Sequence, residues 1–187
     1  MIEQFRDAFD RVIQANPTDV SYFKNGSLIV ETMRLSHESA SVPANKTTPV
    51  GLGTSFSMFV DLYYNTQVTE NTVLIENGNG WKVNAVDSIR AMGDVYGKRA
   101  SLTKVNLSDA KAISSFKIGS VVGVIVGLNI TVTLPIGTDV TALTSIIVPT
   151  GQMISPIGAQ DFTNPVDYTI TAQNLTTQIY KVTVVLA

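Results

Sequence analysis

The chain has 187 residues, a net charge of −2 at neutral pH, 44% hydrophobic residues and only 15% charged ones. Soluble domains average roughly 25% charged residues, so this surface is poor in charge and offers no basic field to hold the phosphates of a nucleic acid. The absence of cysteine excludes disulfides, thiolate metal sites and a cysteine nucleophile together.

The first element is predicted to be an amphipathic helix. Ile2, Phe5, Phe9, Val12 and Ile13 recur at helical spacing, with Glu3, Arg6, Asp7, Asp10 and Arg11 on the other faces. The same opening, MIEQFRDAFD, has no apolar run, so no secretory signal is expected in it. Asn16-Pro17 ends the helix, because proline disfavours helical geometry at the residue before it. From there the signals are β. Val20–Lys24, Asn25-Gly26 and Ser27–Leu35 read as a hairpin with a primed turn, in which Asn and Gly accept positive φ. Ser36–Thr48 is polar, contains a proline and lacks periodicity, so a long loop is expected there. Val50–Tyr64 is rich in β-branched and aromatic residues. Val73–Glu76 and Trp81–Ser88 flank Asn77-Gly78-Asn79-Gly80, a second turn signal. In Val95–Val105, Val95, Gly97, Arg99 and Ser101 alternate against Tyr96, Lys98, Ala100 and Leu102. One helix followed by five or six strands predicts a small β-barrel or sandwich, with Phe56, Phe59, Trp81 and Tyr96 most simply in its core.

Charge then falls away. Met1–Ala110 holds 22 charged residues, whereas the 74 residues from Ser114 onward hold five. This break predicts two domains, 1–110 and 111–187, with the boundary in NLSDAKAISS, Asn106–Ser115. The second half opens on GSVVGVIVGLNITVTLPIG, Gly119–Gly137, where no residue is charged and Gly119, Gly123 and Gly127 form two overlapping GxxxG spacings. A bilayer span needs about 20 apolar residues, but Pro135 and four glycines interrupt this one. Asn129–Leu134 alternates strictly, with Ile130, Val132 and Leu134 on one face. The β-pattern continues through Ser145–Val148, Val166–Ala172 and Ile179–Leu186. The stretch is therefore read as β-structure with Gly123 and Gly127 at strand turns, and no membrane contact is expected.

A search for chemistry finds no catalytic set. Ser101-Leu102-Thr103-Lys104 and Ser114-Ser115-Phe116-Lys117 satisfy S-x-x-K, but that spacing joins Ser to Lys only on a helix, and the accompanying S-D-N and K-T-G motifs are missing. The sole histidine, His37, builds neither a metal site nor a triad. The glycine-rich ENGNGW lacks the Lys-Ser/Thr of a phosphate loop. Asp139, Asp161 and Asp167 make no D-x-D cluster for calcium and read as turn caps. No enzyme activity, cofactor or metal is expected.

Two resemblances complete the reading. Ile130–Val184, through ITVTLPIGTDVTAL, SPIGAQDFTNPVDYTITAQN and YKVTVV, resembles the bacterial immunoglobulin-like β-sandwich modules of surface and secreted proteins, which implies a display or adhesion role. FDRVIQANPTDVSYF, together with VLIENGNGWKVNAVDSI and GDVYGKRASLTKV, resembles the head–tail connector proteins of tailed bacteriophages, in which a short helix precedes a barrel. The carrying elements are Val73–Ile75, Trp81–Val86 and Val95–Leu102. The fold class is thus mainly β: a short N-terminal helix plus a small β-barrel or sandwich, followed by an Ig-like β-sandwich. The function expected from the resemblances is a virion protein at the capsid–tail neck. It would form a homo-oligomeric ring between portal or adaptor and tail proteins, with the outward Ig-like module making at most weak glycan contacts. The low charge would then reflect surface covered by ring neighbours, and His37, Val42, Pro43, Lys46 and Val50 would meet a neighbouring subunit. The alternatives are another virion component, such as a tail-tube subunit or capsid decoration protein, and a cell-surface or carbohydrate-binding Ig-like adhesin.

Overall fold

Asn25-Gly26 and Asn77-Gly78 both hold the paired positive φ of a type I′ turn, 51° and 76° in the first and 46° and 76° in the second, so each returns the chain directly along itself. In the computed structural model, which describes residues 2–38, 57–91 and 93–187, these turns join β1 (Thr18–Lys24) to β2 (Ser27–Glu38) and β4 (Val73–Glu76) to β5 (Asn79–Ala91). With β3 (Ser57–Tyr63) and β6 (Asp94–Val105) they close a barrel in the order β1-β2-β3-β6-β5-β4. Closure gives every strand two hydrogen-bonded neighbours and removes exposed edges. Val20, Tyr22, Met33, Val60, Leu62 and Leu74 fill the interior. Tyr22 donates its hydroxyl to Glu31 Oε2 at 2.7 Å, and Thr66 Oγ1 donates to the same oxygen at 3.0 Å. Burial first, then Glu31, pushes the Tyr22 hydroxyl pKa up.

β2 runs further than its composition suggests. Ser36, His37 and Glu38 pair with Phe59, Met58 and Ser57, so the expected loop Ser36–Thr48 begins as strand. The backbone ladder offered by β3 overrides the polar side chains, while residues 39–48 lie outside the described residues. The helix α1 (Ile2–Ala15) ends before Pro17 as predicted and lies on β6 and β3. Its Ile13 is fully buried, but Val12, expected on the same apolar face, is 40% exposed.

By contact the chain divides into two compact units, Met1–Tyr22 with Leu28–Asn106, and Phe23–Ser27 with Leu107–Ala187. The second contains β7 (Ile113–Ile118), β8 (Val121–Val122), β9 (Val124–Val126), β10 (Asn129–Leu134), β11 (Leu143–Pro149), β12 (Met153–Ser155), β13 (Ala159–Gln160), β14 (Val166–Thr171) and β15 (Thr177–Leu186). They form two sheets, β12-β14-β15-β10-β9 and β13-β11-β7-β8. Phe116, Ile130, Val132, Tyr168, Ile170 and Val182 are buried between them, which makes this half an immunoglobulin-like β-sandwich. The alternation read in Asn129–Leu134 is real: Ile130, Val132 and Leu134 are buried, and the residues between them are exposed. The glycines of the uncharged stretch serve different ends. Gly127, with φ of 60°, turns β9 into β10. Gly123 sits where the chain leaves one sheet for the other, and a Cβ there would lie 3.0 Å from a methyl of Ile130 and 3.1 Å from one of Val132. Among the described residues no helix is long and apolar enough to cross a membrane.

Candidate functional site

Strand alternation sends every second barrel side chain outward. Met58, Val60 and Leu62 point inward, so β3 turns Phe59, Asp61 and Tyr63 to the outer face. Ala100 and Leu102 point inward, so β6 turns Arg99 and Ser101 outward. Register then aligns the charges. Arg34 of β2 lies opposite Asp61, Asp61 opposite Arg99, and Arg99 opposite Asp87 of β5. One row of alternating sign therefore crosses four strands, the arrangement in which directly opposed cross-strand charges attract. The next row pairs Phe59 with Ser101. The row on the other side pairs Tyr63 with Gly97 and Gly97 with Ile89.

Asp61 anchors this row. It is 1% exposed, and its Oδ1 accepts from Arg99 Nε at 2.7 Å. Arg34 Nη1 lies 3.8 Å from Oδ2, close enough for an ion pair, and Oδ2 has no hydrogen-bond partner among the described residues. Both arginines keep contact with water, at 34% and 41% exposure.

α1 closes one flank. Phe9 lies over Gly97, where a Cβ would come within 2.5 Å of the ring, and meets Tyr96 edge to face at 5.8 Å between centroids. Gln14 Nε2 donates to the Tyr63 hydroxyl at 2.7 Å, and the Arg6 guanidinium stands 4.2 Å from the centre of the Tyr64 ring. Beside this docked helix opens a cleft of about 510 Å³, within the range of small-ligand sites. Its lining is of two kinds. Phe9, Val12, Phe59, Ile89 and Tyr96 are apolar or aromatic, whereas Asp61, Asp87, Arg99 and Ser101 come from the charged row and its neighbour.

Two of these aromatics correct the sequence reading, which placed Phe59 and Tyr96 in the core. Phe59 shares the outward parity of Asp61. Tyr96 is displaced by a bulge: Ile89 faces Gly97 and Arg90 faces Val95, which leaves Tyr96 as the extra residue. Trp81 does pack against the barrel core, and Phe56 lies outside the described residues. Of the expected contact residues, His37 is on β2 opposite Met58, and Val42, Pro43, Lys46 and Val50 lie outside the described residues. Both S-x-x-K matches fall on strands, β6 and β7, where residues three apart face opposite ways. Ser114 Oγ donates instead to the Val148 carbonyl at 2.8 Å. Asp139 and Asp161 cap turns. Each accepts from the hydroxyl and the backbone N–H of a threonine two residues on, Thr141 or Thr163, and these bonds hold both carboxyls below the usual range. Asp167 faces Lys181. Among the described residues no three metal-ligating side chains cluster.

Residues 113–184, less than half of the chain, match the family described as SGBP, N-terminal. No curated protein matches the chain. Among solved structures, the crystal structure of a candidate glycoside hydrolase from Bacteroides thetaiotaomicron is similar over 46% of this chain at 25% identity, with a TM-score of 0.39. The similarity spans 28% of that longer chain. The family match overturns the tailed-phage reading, because the stretch taken for the outward module of a neck ring is matched by a family of surface glycan-binding proteins. The virion location and the portal and tail partners fall with it. The pattern in Val73–Ile75, Trp81–Val86 and Val95–Leu102 has a simpler cause: an Asn-Gly turn and two bulges link three adjacent strands, which closing a small antiparallel barrel itself calls for.

Proposed function

We propose that this chain acts as a bacterial cell-surface glycan-binding protein. The match of residues 113–184 to the SGBP family carries the reading. The sandwich itself offers few exposed rings, since Phe116, Phe162, Tyr168 and Tyr180 are all buried in it. The barrel, by contrast, has a cleft in which aromatic rings and charged groups converge.

The proposed activity is binding without turnover. A glycosidase of the common kind needs two carboxyl groups that reach the glycosidic bond from either side. Of the two carboxylates that line the cleft, Asp61 is 1% exposed and paired with Arg99, so it is out of reach of a glycosidic oxygen. The test is affinity electrophoresis of the full chain through gels containing soluble polysaccharides, with reducing ends assayed in parallel. Retardation by at least one polysaccharide, with no release of reducing ends, is the expected result. Unretarded migration through every gel would overturn the reading, and released ends would overturn its non-catalytic part. Antibody labelling of intact producing cells tests the location: labelled surfaces are expected, and label confined to lysed cells would refute it.

A further inference from the structure

We infer that the barrel cleft is the glycan site and that it takes an uncharged pyranose unit, an inference that rests on the glycan-binding reading above. The first argument is the double character of the lining. A pyranose ring presents a face of C–H groups and a rim of hydroxyls. Aromatic faces carry negative quadrupole charge and so attract the weakly positive C–H face, while the rim needs donors and acceptors. Phe9, Phe59 and Tyr96 supply the rings, and Arg99, Asp87 and Ser101 supply the polar groups within the same 510 Å³. A wholly apolar ligand would take water from the exposed Asp87 carboxylate and give it no hydrogen bond in return.

The second argument is charge balance. Of the charged groups that line the cleft, Asp61 and Arg99 neutralise each other as a pair and Asp87 is the exposed carboxylate, while Arg34 of the same row does not line it. An anionic sugar would have to sit beside the exposed Asp87 carboxylate. A cationic one would meet Arg99 beside the single exposed carboxylate. A neutral ring meets neither obstacle, and its hydroxyls both donate and accept.

The third argument is preorganisation. Asp61 is buried and holds Arg99 through Nε at 2.7 Å. The guanidinium is a rigid plane of donors, so fixing Nε fixes the orientation of the whole group. Asp87 lies next to it on the adjacent strand and is exposed. A donor fixed beside an acceptor suits two neighbouring hydroxyls, one accepting from Arg99 and one donating to Asp87. Asp61 is then a positioning residue.

Titration calorimetry on the full chain tests this with two kinds of probe: uncharged gluco-, manno- and xylo-hexaoses, and acidic oligogalacturonides of similar length. Asp87→Ala removes an exposed acceptor and Phe59→Ala removes a ring, while Asp167→Ala, on the sandwich, is the control. Trp81 fluorescence and far-ultraviolet circular dichroism confirm that each variant is folded. An uncharged hexaose should bind, Asp87→Ala and Phe59→Ala should each weaken it at least tenfold, and Asp167→Ala should leave it unchanged. If a hexaose binds equally well to both cleft variants, the cleft assignment fails while glycan binding stands. Binding of the acidic probe alone overturns the ligand class. Failure of every probe here, with retardation by a polysaccharide gel, rejects the cleft inference only. Failure in both assays rejects the glycan reading as well.

Discussion

Replacing Asp61 by alanine tests the ladder on which the cleft is built. The carboxylate accepts a 2.7 Å charge-assisted bond from Arg99 and lies 3.8 Å from Arg34. A charge pair at about 4 Å is worth roughly 1 kcal/mol in water and about 4 kcal/mol at an effective dielectric constant near 20. The arginines are 34% and 41% exposed, which moves both pairs toward the lower figure. After the substitution both arginines relax into solvent, so the loss stays below the roughly 3–5 kcal/mol found where a buried charge is left unpaired. A hydrogen bond to a charged group contributes about 1.5–3 kcal/mol, so a net loss of about 2 kcal/mol is expected. Trp81, the only tryptophan, packs against the barrel core, so its fluorescence in urea reports barrel unfolding and not that of the sandwich. With a urea slope of about 2 kcal/mol per molar, the midpoint should fall by about 1 M. Arg99→Ala in the same cycle should show a coupling of about 1–2 kcal/mol with Asp61→Ala. An unchanged midpoint, or coupling under about 0.3 kcal/mol, would show that the row is a coincidence of register.

Four further outcomes follow from the geometry. Gly97→Ala puts a Cβ 2.5 Å from the Phe9 ring and should lower barrel stability by about 1–3 kcal/mol; an equal loss in a Phe9→Ala background would refute the helix-docking account. Gly151→Ala meets Ile170 Cγ2 at 2.5 Å and the Thr171 carbonyl oxygen at 2.7 Å, and because backbone yields less than a side chain, the sandwich should lose at least about 2 kcal/mol. A sandwich transition in near-ultraviolet circular dichroism at the parent temperature would contradict that. The hydrogen bonds that lower the Asp139 and Asp161 pKa values give stability that is present above the unfolded value of 3.8 and lost as pH falls through the folded values. The double asparagine variant should therefore narrow the stability gap between pH 6 and pH 3, and an unchanged gap counts against those bonds. Asp10 has the opposite sign: burial, then Asp7, raises its pKa, so its contribution is present below 3.8 and lost as pH rises through the folded value. Asp10→Asn should raise the barrel urea midpoint at pH 7 and leave it unmoved at pH 3; the reverse order would refute the assignment.

Local grammar was readable from the chain, while the site was not, and the difference is physical. Asn25-Gly26 and Asn77-Gly78 announce their hairpins because positive φ is a property of the residues themselves. The alternation in Val95–Val105 already placed Gly97, Arg99 and Ser101 on one face, where the barrel has them. Joining Arg99 to Asp61 and Arg34, however, depends on how β2, β3 and β6 pair, and strand register across a crossover is decided by closure, not by any one segment. Tyr96 shows the limit most plainly, since strict alternation sends it inward and a single bulge carries it to the cleft.

The low charge content misled for a related reason. Low charge suggests a surface hidden by ring neighbours, yet composition counts charges without saying where they stand. The sandwich meets its shortage with threonines in its exposed rows, Thr131 and Thr133, and with bare apolar side chains such as Val124 and Val126, 65% and 69% exposed. The barrel instead sets four of its charges in one row, where each lies opposite a charge of the other sign. A row of that kind stabilises the wall and fixes the polar groups of the cleft, with Arg99 held by Asp61 and Asp87 beside it on the adjacent strand.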